Sequence, residues 1–254
     1  MGTVCITGSA SGIGAATRRL VEAAGHTVVG VDLHDAEVVA DLSTPEGRAA
    51  MVEGVEAAAG GSLDGVVAAA GVNAGGPPLV VSVNYFGSVA TLDGLRPLLA
   101  RGTNPAAVAV SSNSSTTMQG VDDRIVEACL RNDEAAARQT AGEIVDYPSS
   151  KLALARWVRR QAPSAGWIGA GIRLNAVAPG PTATAMTEDL AFPVLELGDA
   201  YPVPIQRVAT AEEQAAVIAF LLSSAASYVV GVVLPVDGGG DAAARGDDWP
   251  SARP

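Results

Sequence analysis

Six short runs of β-branched and small apolar residues recur along the chain, separated by longer stretches in which apolar positions return every three or four residues. The short runs, residues 3–7, 27–32, 64–69, 106–111, 172–177 and 232–236, predict strands. The longer ones, 14–24, 45–59, 80–100, 147–161 and 211–222, predict helices. Alternation at this spacing predicts βαβ units: an α/β chain forming a single-domain doubly wound parallel sheet, helices on both faces, over residues 1–254. Two segments break the rhythm. Residues 118–146 make a charged, Ala-rich helical insertion, and 182–206 an irregular loop rich in Pro. The polar tail, 241–254, is expected to fray or to dock on a neighbouring subunit.

Composition sharpens this. Apolar residues make up 48% of the chain but aromatics only 4%, so the core must be built from Ala, Val, Leu and Ile. A net charge of −11 repels phosphate backbones and anionic bilayers, which argues against nucleic-acid or membrane partners. The chain opens on a strand-like run with no signal-type segment and has no long apolar span, so a cytoplasmic protein is expected. Cys5, Cys129, His26 and His34 are too few and too scattered for a disulfide framework or a metal site. Buried free thiols are expected, and metal chemistry is not.

The first strand runs into Gly8-Ser9-Ala10-Ser11-Gly12-Ile13-Gly14 and then a helix. Glycines at a strand-to-helix turn let backbone N–H groups approach a pyrophosphate, which the positive helix end also favours. The GxxxGxG spacing thus predicts a Rossmann-like dinucleotide site. Asp32, followed by Leu33, closes the second strand, where a carboxylate accepts from ribose hydroxyls and repels a 2′-phosphate. No arginine sits in the glycine turn, so NAD is expected over NADP. Asp41-Leu42 and Ala70-Gly71 fall at carboxyl ends of apolar runs, the ligand edge of an open α/β sheet, although simple turn chemistry explains them equally well.

The chain has fifteen arginines and one lysine, Lys151, four positions after Tyr147 in Tyr147-Pro148-Ser149-Ser150-Lys151. An ammonium is a compact point charge where guanidinium is a broad fork. Beside a phenol it favours the phenolate, turning Tyr into a usable proton donor and acceptor. Pro148 restrains Tyr147 away from helical dihedrals, so Tyr147 is expected to open its helix.

The glycine pattern, Asp32, Gly71, Asn84 in Val83-Asn84-Tyr85-Phe86-Gly87, Ser112, the Tyr147/Lys151 pair and Pro179-Gly180 occur in one order. That order resembles the short-chain dehydrogenase/reductase family over nearly the whole chain. Longer runs, 12–18, 35–48, 81–87 and 225–228, resemble its bacterial 3α-hydroxysteroid dehydrogenase/carbonyl reductase branch. The resemblance implies a catalytic set of Asn84, Ser112, Tyr147 and Lys151. Tyr147 carries the proton, its phenol lowered by Lys151 and by an oxidised nicotinamide; Ser112 holds the substrate oxygen. Lys151 reaches the ribose hydroxyls, and Asn84 holds a helix and a water. It also implies that Pro179, Gly180, Thr182 and Thr184 meet the nicotinamide end, with loop capping as the alternative for each Thr. Ser111 is the rival of Ser112, but strand neighbours point to opposite sides and only one can face the site. Ser114 and Ser115 read as polar loop residues.

Thirty-four residues separate Ser112 from Tyr147, where many family members have about a dozen. The insertion between them, with Ile125 and Leu130 as its apolar surface, reads as a lid, a subunit contact or a solvated excursion. Met118, Met186, Leu190, Phe192, Val194 and Leu195 suggest an apolar substrate wall. The expected reaction interconverts a hydrophobic secondary alcohol and ketone, a 3-hydroxysteroid first. A small cyclic or monoterpenoid alcohol, or a non-catalytic nucleotide-binding protein, are the alternatives. The resemblance also implies a homodimer or homotetramer.

Overall fold

The structure is a computed structural model and describes residues 2–141, 147–187 and 195–249. Seven strands form one parallel sheet: β1 Thr3–Thr7, β2 Thr27–Asp32, β3 Val38–Val39, β4 Gly65–Ala68, β5 Ala106–Val110, β6 Arg173–Pro179 and β7 Val233–Val236. Their order is β3-β2-β1-β4-β5-β6-β7, so the chain reverses its direction of travel between β1 and β4. That reversal opens a crevice at the carboxyl ends of the two strands. Strands β4, β5 and β6 are buried along their whole length. Continuous apolar runs suit a parallel sheet covered on both faces.

Two layers provide the cover. Val4 and Ile6 of β1 point to a cluster shared with Val21 of α1 (Gly12–Ala23) and Ile218 and Leu221 of α9 (Ala211–Leu222). Cys5 points the other way, toward Met51 and Val55 of α2 (Pro45–Ala58). The same layer takes Leu92 and Leu95 of α4 (Ser88–Leu99) and Leu154 and Trp157 of α8 (Tyr147–Gln161). Helix starts follow local chemistry. Thr44 caps α2 by accepting from Gly47 N–H, ahead of Pro45, and Thr210 and Glu213 form a reciprocal capping box on α9. Both cysteines are buried free thiols. Among the described residues, no helix is long and apolar enough to cross a membrane.

Three expectations need correction. The helix expected over 80–100 is divided into α3 (Pro77–Val81), a π-helical turn (Ser82–Gly87) and α4. The insertion carries α5 (Ser114–Thr117), α6 (Asp123–Leu130) and α7 (Glu134–Ala141), and its apolar face is not a lid. Ile125 is fully buried in the α8-side core and Leu130 packs against it. A polar clamp fixes the insertion further. Arg48 of α2 bonds Glu134 at 2.6 Å, and Ser82 donates to Glu134 at 2.8 Å while accepting from Arg138 at 2.6 Å. The start of the tail is ordered, not frayed: α10 (Gly240–Arg245) buries Asp241, which accepts from Thr116 of α5 at 2.7 Å and pairs bidentately with Arg245. It docks on its own chain. Residues 250–254 lie outside the described residues.

Because Glu134 compensates a nearly buried guanidinium, Glu134→Ala is expected to cost about 2 kcal/mol of stability. Urea unfolding of the variant checks this; an unchanged midpoint would show that the clamp contributes nothing.

Candidate active site

The β1–α1 turn is shaped by space. Gly8 (φ 69°) and Gly12 (φ 51°) adopt left-handed backbone, and Gly8 donates to Val31 O at 2.8 Å. A Cβ on Gly14 would stand 2.0 Å from Gly8 O, so the helix can approach the turn only with glycine there. Ser11 caps α1 without a side-chain bond, leaving the first-turn amides of Gly12, Ile13 and Gly14 available to an anion. At the end of β2, Asp32 accepts from Ala10 N–H at 2.9 Å and Leu33 N–H at 2.7 Å, which fixes its carboxylate beside the glycine turn. Leu33 is exposed at this edge. Asp41 accepts from Ser43 N–H at 2.9 Å as a turn residue ahead of α2, while Leu42 is buried beneath Gly87. Ala70 N–H is held by Thr7 Oγ1 at 3.1 Å.

On the far side of the crevice, Gly180 follows Pro179 where a Cβ would meet Asp237 Cα at 2.7 Å. Thr182 turns its hydroxyl back to Gly180 O at 2.9 Å and receives Gln214 at 3.3 Å, a loop-capping arrangement. Thr184 crosses to the glycine turn, its methyl 3.3 Å from where a Cβ on Gly12 would lie.

The reactive groups gather at the ends of β4 and β5. Helix α8 is described from Tyr147 onward. Lys151 is only 3% exposed and donates to Val110 O at 2.9 Å, its nitrogen 5.7 Å from the centroid of the Tyr147 ring. Burial pushes its ammonium down from 10.5 to about 8. Asn84 sits in the π turn and clamps Val72, accepting from its N–H at 2.8 Å and donating to its carbonyl at 2.9 Å. A Cβ on Gly71 would lie 3.2 Å from Asn84 Oδ1 and 3.3 Å from Lys151 Nζ, so Gly71 lets the two converge.

The choice between the serines is resolved by hydrogen bonds. Ser111 donates to Lys151 O at 2.8 Å and ties β5 to α8, facing away from Tyr147. Ser112 lies beside the Tyr147 phenol and pulls its pKa down, against the larger effect of burial. Ser114 donates to Ser112 Oγ from both its N–H, at 3.2 Å, and its hydroxyl, at 2.9 Å. With both lone pairs taken, the Ser112 O–H is the group left to donate toward Tyr147. Ser114 therefore does more than decorate a loop, and Ser115 caps Ser112 O at 2.7 Å.

The expected lowering of the Tyr147 phenol by Lys151 is absent in the free chain. Burial holds that phenol above its ordinary 10, against Ser112, which pulls it down, and nearby Tyr201 adds to the rise. The ammonium is turned to the Val110 carbonyl, and burial is the largest influence on the phenol. Tyr201 and Asn113 are members of the site that sequence reasoning missed. Tyr201 bonds Asn113 at 2.5 Å, and Asn113 donates to Asp237 at 3.3 Å, joining three distant segments beside Ser112. Only the hydroxyl-rich run Ser111–Ser115 hinted at them. Met118 and Met186 are 44% and 40% exposed, and Asn73 donates to Met186 O at 3.1 Å. Leu195 is exposed as well, while Leu190, Phe192 and Val194 lie outside the described residues. No grouping of three or more His, Cys, Asp or Glu suited to a metal occurs among the described residues.

A glycine-turn crevice with a carboxylate at the β2 end, and a Ser–Tyr–Lys cluster at its other end, defines a dinucleotide-dependent oxidoreductase. The family model described as enoyl-(acyl carrier protein) reductase matches residues 8–241. The chain is 43% identical to 3-alpha-hydroxysteroid dehydrogenase/carbonyl reductase of Comamonas testosteroni, covering 96% of this chain and 98% of that protein. It is 34% identical to cis-4-hydroxycyclohexanecarboxylate dehydrogenase of Sinomonas cyclohexanicum, with 92% and 94% covered. The solved 3-alpha-hydroxysteroid dehydrogenase from Pseudomonas sp. B-0831, complexed with NADH, superposes with a TM-score of 0.84 at 44% identity, over 94% of this chain and 97% of that one. The chain belongs to the short-chain dehydrogenase/reductase family.

The buried ammonium has a signature in stability. Lys151 loses its proton more readily folded (about 8) than unfolded (10.5), so between those values the unfolded chain binds more protons and stability rises with pH. The cost is complete below about pH 8, gone above about 10.5, and on the order of 3 kcal/mol. Lys151→Met is therefore expected to be more stable than the parent at pH 7, the gap closing by about pH 10.5. Urea unfolding at both pH values measures it, and a pH-independent gap would contradict the burial cost.

Proposed function

We propose that this chain is an NAD(H)-dependent dehydrogenase/reductase interconverting a hydrophobic secondary alcohol and its ketone, with a 3-hydroxysteroid as leading substrate. The observation that carries the reading is the one lysine of the chain, buried on Val110 O beside the Tyr147 ring, with Ser112 next to that phenol. The crevice fits a dinucleotide: glycine-lined amides face a pyrophosphate, Asp32 a ribose diol, and Lys151 retains two N–H donors beyond the one on Val110 O for the second ribose. A bound nicotinamide supplies or accepts the hydride. Tyr147 takes the alcohol proton, or returns it to the ketone oxygen. Ser112, its lone pairs occupied by Ser114, donates to that oxygen and stabilises charge as it develops. Ser114 and Ser111 are positioning residues, one aiming Ser112 and the other fixing α8 against β5. Asn84 holds the Val72 segment against which Lys151 sits.

NAD over NADP is supported by the Asp32 carboxylate and by the NADH complex of the similar Pseudomonas enzyme. The steroid reading is supported by the two hydroxysteroid dehydrogenases of 43% and 44% identity and by the exposed apolar side chains of Met118 and Met186. Similarity to the hydroxycyclohexanecarboxylate enzyme favours a second reading, a small cyclic alcohol. The proposal includes one nucleotide-binding and catalytic domain, a cytoplasmic setting and a homodimer or homotetramer.

NAD⁺ reduction over a panel of 3-hydroxysteroids and small cyclic alcohols, with NADP⁺ as control, tests substrate and cofactor together. Turnover of steroids with NAD⁺ is expected; turnover of small alcohols alone favours the second reading. Tyr147→Phe is expected to lower kcat about a thousandfold with NADH binding retained. Full activity in that variant would remove the proton-transfer role.

A further inference from the structure

Beside Asp32 lies a cavity of about 600 Å³, lined in part by Ser9, Ala10, Arg18, Arg19, Asp35 and Glu37. It is joined to Asp32 through Ala10, whose N–H holds the Asp32 carboxylate. Within it Arg18, from the second turn of α1, has each of its three guanidinium nitrogens bonded. Its Nη1 and Nη2 meet the two Glu37 oxygens at 2.9 and 2.6 Å, and its Nε meets Glu22 at 2.9 Å. Glu37 is fixed in turn by Gly30 N–H at 2.8 Å, and the Arg18 bonds hold its carboxyl below the ordinary range.

Gly30 shows that the pair is built in. A Cβ there would stand 2.5 Å from Ser9 Oγ, 2.7 Å from Arg18 Nη1 and 2.8 Å from Glu37 Oε2. Gly30 and Asp32 are two residues, about 7 Å, apart on β2 and share one face, so the guanidinium packed over Gly30 lies on the same side of the strand as Asp32. The charges nearby are Glu22, Asp32, Asp35 and Glu37 against Arg18 and Arg19, and Arg19 is paired with Glu212 at 2.8 Å. Every cation is thus already matched, and an added phosphate dianion meets net negative charge. Without Glu37, a planar five-donor fork suited to phosphate would be left beside the ribose.

We propose that the Arg18–Glu37 ion pair acts with Asp32 as a selector for the adenosine 2′ position, Glu37 withholding Arg18 from a 2′-phosphate. This rests on the NAD(H) reading above and deepens it. Asp32 repels the phosphate, and Glu37 removes the partner that would compensate.

The test is the dissociation constant of NADH and of NADPH, by cofactor fluorescence, for the parent, Glu37→Gln, Asp32→Ser, the double variant, and the double variant carrying Arg18→Gln. The parent should prefer NADH. Glu37→Gln should move the affinity ratio toward NADPH by about tenfold, in the parent and on Asp32→Ser, and Arg18→Gln should erase that gain. A strut between α1 and β2 would instead weaken both cofactors alike. A ratio unmoved by Glu37→Gln with NADH binding retained, or a gain that survives Arg18→Gln, overturns the selector while leaving the NAD(H) reading intact. A parent that prefers NADPH overturns both.

Discussion

One ammonium under the carboxyl edge of the sheet organises this molecule's chemistry. Removing Lys151 from water carries a free-energy cost, and the surrounding structure is arranged so that the cost yields a placed, easily deprotonated amine. Val110 O receives it, Gly71 leaves room for it, and Asn84 braces the segment on its other side. Ser111 ties the Lys151 carbonyl back to β5, so α8 cannot slide without breaking a buried bond. In the free chain the same burial works against the neighbouring phenol, which stays above its ordinary value. In the proposed complex, the positive ring of an oxidised cofactor would lower the Tyr147 phenol, adding what the lysine alone does not.

The scaffold serves that placement. Parallel strands buried on both faces put every strand end on one edge, and the reversal between β1 and β4 opens the crevice beside the lysine. The π turn widens the helix where Asn84 must reach Val72 in both directions. The insertion uses its apolar residues on the α8-side core and its acidic Glu134 on Arg48, which ties its described part to the layer behind α8.

Much of this was legible in the chain. Strands β1 and β2 and helices α8 and α9 fall where periodicity predicts, because their apolar spacing matches one regular geometry over the whole element. The glycine turn, Asp32 and the Tyr147/Lys151 pair were equally plain, since each depends on local spacing. Short β3, only Val38–Val39, was missed because two residues carry no period. The division of the 80–100 helix was missed because Asn84 and its partner Val72 meet only in three dimensions.

By itself, then, the sequence determined most of the element order, the apolar core and the residues proposed to react, all properties of neighbouring residues. Tertiary structure decided the rest. It directed Ser111 to a backbone carbonyl and Ser112 to the phenol, brought Tyr201 and Asp237 to Asn113, and placed Arg18 with Glu37 beneath Gly30. Those outcomes depend on which side chains meet across the sheet and on how far burial shifts their charge. Neither is encoded in the spacing of residues along the chain.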